Sequence, residues 1–159
     1  MIEGKKDSTN KRDILLITIL LLVVGGLFLY FQLFQSTGEA NYAHVYYGSS
    51  NDPIVTIDFV KNEIVQYSQQ DVPNQYGSFP IIDEGKRTIT LLGDYEINGV
   101  RQIVVIQYDF GLKTVQIIEE ESPNNICSRE GASTGKPLIC LPNRVRVEFE
   151  TNDDSDFTV

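Results

Sequence analysis

No charged residue occurs between Ile14 and Phe34, no basic residue between Arg12 and Lys61, and the chain holds one histidine, two cysteines and no tryptophan. Each shortage narrows the chemistry. There is no phosphate-binding loop, no His-Glu-x-x-His run and no nucleophile elbow, so those signatures of catalysis are missing. The lone histidine, His44, has no nucleophile or metal-ligand set beside it and is read as structural or exposed. No acidic spacing matches a calcium loop. Beyond residue 34 no segment keeps a helical period, and no internal repeat stands out. The expectation is a protein that is not an enzyme and has no cofactor and no metal site.

What the chain does have is a run of 21 uncharged residues, ILLITILLLVVGGLFLYFQLF, at positions 14–34. At ~1.5 Å per residue, such a helix reaches roughly 30 Å, the thickness of a bilayer's hydrocarbon core. Lys5, Lys6, Lys11 and Arg12 precede it, and basic residues near a span stay on the cytoplasmic side. Residues 1–13 are therefore expected as a cytoplasmic tail and 14–34 as a transmembrane helix. The C-terminal domain is expected outside the cell, on a single-pass protein of the cell membrane. A cleaved signal peptide is the rival, but its apolar core is usually ~7–15 residues followed by small residues. This run is longer and ends in Tyr30, Phe31, Leu33 and Phe34, which favours an uncleaved anchor. Gly25-Gly26 is ordinary for a membrane helix.

The part beyond the run is about one domain, large enough to bury a core without metal or disulfide support. It holds nine of the 13 basic residues and 19 of the 22 acidic ones, a net charge of −10. That field repels nucleic acid and anionic lipid, so nucleic acid is excluded as a partner. The acidic clusters at 119–121 and 148–156 are read as solvated runs.

Residues 35–41 form a short polar linker, and from Tyr42 the pattern alternates with a period of two. Strands are expected at 42–47, 54–59, 63–67, 87–92, 95–97, 101–110, 113–118 and 144–149. In the last of these, Val145, Val147 and Phe149 share a face. Asn98-Gly99 marks a tight hairpin, because both central residues of such a turn need positive φ. Residues 69–78 read as loop and 151–159 as a disordered acidic tail. The fold class expected for 42–150 is all-β, a small barrel or sandwich behind a single N-terminal helix. The many tyrosines are ordinary strand residues, although aromatic surfaces also bind sugars, flavins or partners.

Residues 122–146 read SPNNICSREGASTGKPLICLPNRVR. Pro123, then Ile126-Cys127, then Gly131 and Gly135, then Cys140-Leu141-Pro142-Asn143 before a final strand resemble the signature of the NusG domain II family. The order of membrane helix, tyrosine-rich strand and Cys-Leu-Pro-Asn block is similar to membrane-anchored members in Gram-positive bacteria. Two departures stand out. Ser122 replaces a cysteine found in many members, and Ala132 replaces a tryptophan. The resemblance implies a small all-β domain in which Cys127 and Cys140 recur as a pair, and it implies no defined enzyme activity. The transcriptional role in the family's name needs further domains that do not fit in this chain.

Outside the cytoplasm Cys127 and Cys140 can form a disulfide, with two buried free thiols as the alternative. A catalytic pair would show Cys-x-x-Cys spacing or a helix N-terminus, and neither is evident. Pro142 and Asn143 suit a turn into the last strand, where proline fixes φ and asparagine tolerates turn geometry. The function expected is a membrane-tethered extracytoplasmic binding or assembly module whose partner is another membrane protein. The resemblance also implies an alternative, an accessory of flavin- and quinone-linked extracytoplasmic electron transfer. Contact with envelope polymers is a third possibility, disfavoured for acidic polymers by charge.

Overall fold

The computed structural model describes residues 6–34 and 40–151, with side chains at 11–30 and 40–151. It divides into a helical unit and a β-unit. The parts of the expected tail, linker and acidic C-terminus at 1–5, 35–39 and 152–159 lie outside the described residues.

Helix α1, Lys6–Phe34, starts two turns ahead of the apolar run, since no proline or glycine interrupts residues 6–13. Its 20-residue stretch Lys11–Tyr30 is long and apolar enough to cross a membrane, and none of it is buried. The Thr18 hydroxyl donates to the Ile14 carbonyl at 2.8 Å, so the one polar side chain mid-run is satisfied within the helix. A membrane anchor and a signal sequence share these properties.

The β-unit is a sandwich of two antiparallel sheets. The first contains β1 (Ala40–Tyr47), β2 (Val55–Asp58), β3 (Glu63–Gln66), β8 (Leu138–Cys140) and β9 (Val145–Thr151), in the order β3-β2-β1-β9-β8. The second contains β4 (Ile81–Asp83), β5 (Thr88–Ile97), β6 (Val100–Asp109) and β7 (Thr114–Glu120), in that order. A four-residue helix α2, Ile126–Arg129, precedes β8. The inner faces meet through Val45, Ile57 and Val147 on one side and Leu91, Ile106 and Ile117 on the other, all fully buried. This is the alternation expected when one face of each strand is apolar.

The strands differ from expectation in four places. Strand β1 starts at Ala40, two residues early, and pairs there with Thr151, so the domain reaches one residue past 150. The segments expected at 87–92 and 95–97 form one strand, Thr88–Ile97. Strands β4 and β8 have three residues each, too few for alternation to register. Helix α2, with four residues, is too short for a helical period to register in the sequence.

Three hairpin turns share one device. Asp58 Oδ1 accepts the Lys61 N–H, Asp83 Oδ1 that of Lys86, and Asp109 Oδ1 that of Leu112, at 2.9–3.0 Å. One residue further on, Asn62, Arg87 and Lys113 take φ values of 50–57°. Each carboxylate thus closes its turn just before the left-handed residue. The same bonds hold Asp83 and Asp109 below the usual carboxylate range, chiefly through the Lys86 and Leu112 N–H groups. The Asn98-Gly99 turn has φ values of 53° and 78°, as its sequence requires.

Two irregularities shape the site. Strand β7 pairs Glu119 with Val105 and Ile117 with Ile106, leaving Ile118 as an extra residue. This bulge shifts the phase of the strand and turns Glu120 inward. On β5, Leu92 pairs with Ile103 and Glu96 with Arg101, so residues 93–95 stand opposite Gln102 alone.

Candidate site at the cysteine pair

Cys127 on α2 and Cys140 at the end of β8 are joined as a disulfide, with their Cα atoms 5.7 Å apart. Cys140 is fully buried and Cys127 is 3% exposed. Beside them lies Glu120, 4% exposed, which its sequence of three consecutive glutamates had suggested was solvated. The Cys127 backbone N–H donates to Glu120 Oε1 at 2.9 Å. The other carboxylate oxygen, Oε2, accepts from Asn143 Nδ2 at 3.3 Å and stands 3.2 Å from Cys140 Sγ. A disulfide sulfur carries no hydrogen, so this last approach is a contact and not a hydrogen bond. A carboxylate oxygen of Glu120 and the two sulfurs lie within 4.8 Å of one another.

Asn143 links the site to both sheets. Pro142 is exposed in the β8–β9 turn, which the Arg144 N–H closes on the Leu141 carbonyl at 3.1 Å. Asn143 is fully buried: its Nδ2 also donates to the Glu121 carbonyl at 3.1 Å, and its Oδ1 accepts the Tyr95 N–H at 3.3 Å. Its own carbonyl accepts the Asp94 N–H at 3.3 Å. One side chain therefore supplies donors and acceptors to strands whose ladders are interrupted here, as buried backbone groups require.

The β5 irregularity is held from several directions. Gln70, a loop residue 5% exposed, accepts the Leu92 N–H at 2.9 Å and donates to its carbonyl, replacing a missing strand. Arg101 donates through Nε to the Gly93 carbonyl at 2.7 Å, and its Nη2 bonds Asp94 and Tyr47. Tyr47 donates to Asp94, and Arg144 reaches the same carboxylate at 3.1 Å. Nothing in the sequence pattern joins these residues, because strand register alone brings them together.

Burial pushes the Tyr47 phenol above its ordinary value, the bond to Asp94 adds to this, and the bond from Arg101 opposes it. A raised value stabilises the fold fully below the unfolded phenol's value and is lost as pH rises through the folded one. Tyr47→Phe is expected to cost about 1 kcal/mol at neutral pH. It is also expected to flatten the fall of stability above pH ~10. Urea midpoints taken across that range check both, with Tyr46 and Tyr108, also raised by burial, supplying the residual slope.

On the outer face of the five-stranded sheet His44 does acquire companions. Its Nδ1 lies 2.8 Å from Thr56 Oγ1 and its Nε2 3.1 Å from Glu150 Oε2. Tyr42 stacks on the same imidazole at 6.1 Å between centroids. These are neighbours across β1, β2 and β9 in an open depression bordered by Asp58, Lys61 and Tyr67.

Three large apolar side chains near the cysteines are exposed. Ile126, Ile139 and Leu141, each adjacent in sequence to a cysteine, are 61%, 54% and 77% exposed. Ile139 and Leu141 border a shallow depression with Gly48, Arg144 and Arg146. Comparison of the chain with protein-family models, curated proteins and solved structures gives no match.

Proposed function

We propose that this chain is a membrane-tethered binding module that works outside the cytoplasm and docks another membrane protein. The observation that carries the reading is the pair Ile139 and Leu141. Both are large, apolar and exposed, Ile139 on β8 and Leu141 in the β8–β9 turn, whose buried Asn143 bonds the Glu121 carbonyl. Exposed apolar groups on a rigid element are how interaction surfaces present themselves. Arg144 and Arg146 border the same depression in a chain of net charge −9, which favours a partner segment that carries carboxylates beside its apolar residues. The single apolar helix with basic residues ahead of it supports the tether and its orientation. The order of helix, tyrosine-rich strand and Cys-Leu-Pro-Asn turn supports membership of the NusG domain II family.

The test is a photo-crosslinking residue placed at Leu141 of the full chain in native membranes. A discrete adduct with one membrane protein is expected there, and none from the same residue at Lys86. Ile139→Asp should abolish the adduct. Equal labelling from both positions, or adducts that survive Ile139→Asp, would overturn the docking surface.

A further inference from the structure

The geometry points to Cys127–Cys140 as a thiol–disulfide exchange site in which Glu120 is the proton acceptor for Cys140. The proposal does not need the reading above, since the purified chain alone tests it. Three features converge. Both cysteines are buried, Cys140 at 0% and Cys127 at 3% exposure, so Cys127 is the one nearer the surface. The buried carboxylate oxygen Oε2 stands against the sulfur of Cys140, while Cys127 meets Glu120 only through its backbone N–H. Exposed Ile126, Ile139 and Leu141 flank both cysteines and offer a partner's thiol-bearing surface somewhere to rest.

In the disulfide, Oε2 has a sulfur beside it with no hydrogen to donate. In the dithiol the Cys140 S–H fills that place, so the carboxylate is better satisfied when the pair is reduced. The nucleophile in such exchange is the thiolate, and a base within reach of the thiol supplies it.

The chemistry balances as follows. In the dithiol state the Cys127 thiolate, its proton lost to solvent, attacks a partner disulfide. One partner sulfur leaves as thiolate and the other is bound to Cys127 Sγ. The Cys140 thiol gives its proton to Glu120 Oε2, its thiolate attacks Cys127 Sγ, and the second partner sulfur leaves. The pair is oxidised by two electrons and the partner disulfide is reduced by two. The two departing thiolates take up two protons, and Glu120 returns its own to solvent. Reduction by a partner dithiol is the reverse.

The test uses the full chain in detergent. Dithiothreitol should reduce the native protein without denaturant, and oxidised glutathione should then form a mixed disulfide that resolves to the intramolecular bond. In Glu120→Gln the mixed disulfide should accumulate and resolve at least tenfold more slowly. Cys140→Ser should trap glutathione on Cys127, while Cys127→Ser should leave Cys140 unmodified at least tenfold longer. Resistance to dithiothreitol until the fold is lost would overturn the proposal, as would equal labelling of the two single-cysteine variants. Resolution of Glu120→Gln at the parent rate would remove Glu120 from it. If Glu120→Gln fails to fold, the comparison of the two serine variants still decides which sulfur exchanges.

Discussion

Gly93→Ala is expected to destabilise the β-unit by about 3 kcal/mol, the upper range for overpacking. The cause is one contact. A Cβ built on Gly93 overlaps the Asn143 side chain at Oδ1, Cγ and Cβ. Gly93 does not take positive φ, so the cost is steric and not conformational. Asn143 cannot swing aside cheaply, because moving it strands the Tyr95 N–H, the Glu121 carbonyl and one oxygen of Glu120 together. Buried groups left unpaired cost about 1–3 kcal/mol each. The diagnostic is a double-mutant cycle from urea midpoints. In an Asn143→Gly background, which removes all three overlapping atoms, Gly93→Ala should cost less than about 1 kcal/mol, a coupling typical of residues in contact. Additive effects would show that the overlap is relieved elsewhere.

Arg101→Met is expected to cost a similar amount, about 3 kcal/mol, by removing one partner of a largely buried ion pair. The Arg101 side chain is 11% exposed and Asp94 25%, so solvent replaces the lost donors poorly. The methionine keeps the aliphatic stem but leaves the Gly93 carbonyl without its donor and Tyr47 without its cation. Asp94 keeps Arg144 at 3.1 Å, which limits the loss. Arg101→Lys should recover less than half of it, because an ammonium cannot serve Nε and Nη2 partners in one plane. Thermal and urea unfolding of the two variants distinguish this from a plain charge effect, in which lysine would restore most of the stability.

Much of the framework was legible, because it depends on local pattern. The uncharged run announces a span-length helix, the period-two segments announce strands, and Asn98-Gly99 announces its hairpin. The repeated turn is a local pattern as well: Asp58, Asp83 and Asp109 each precede a left-handed residue by four positions. The site was hidden for physical reasons. Glu120 lies in a run of glutamates, and only the extra residue Ile118 turns it inward. His44 meets Thr56 and Glu150 through strand register, which no local pattern encodes. Asn143 reads as a turn former, and its burial becomes apparent only when β5 passes over it with a glycine at the crossing.

Strand β1 has one further consequence, and it is mechanical. It is an interior strand, laddered to β2 on one side and to β9 on the other. Any pull that enters the β-unit from the preceding chain arrives at Ala40, at the start of this strand. Leu141 lies beyond the opposite end, where Tyr47 pairs with Val145. Antiparallel hydrogen bonds run perpendicular to their strands. Tension between those two points therefore shears both ladders at once and does not peel them open bond by bond. Loaded along that line, the β-unit resists with the hydrogen bonds of two ladders together rather than one bond at a time.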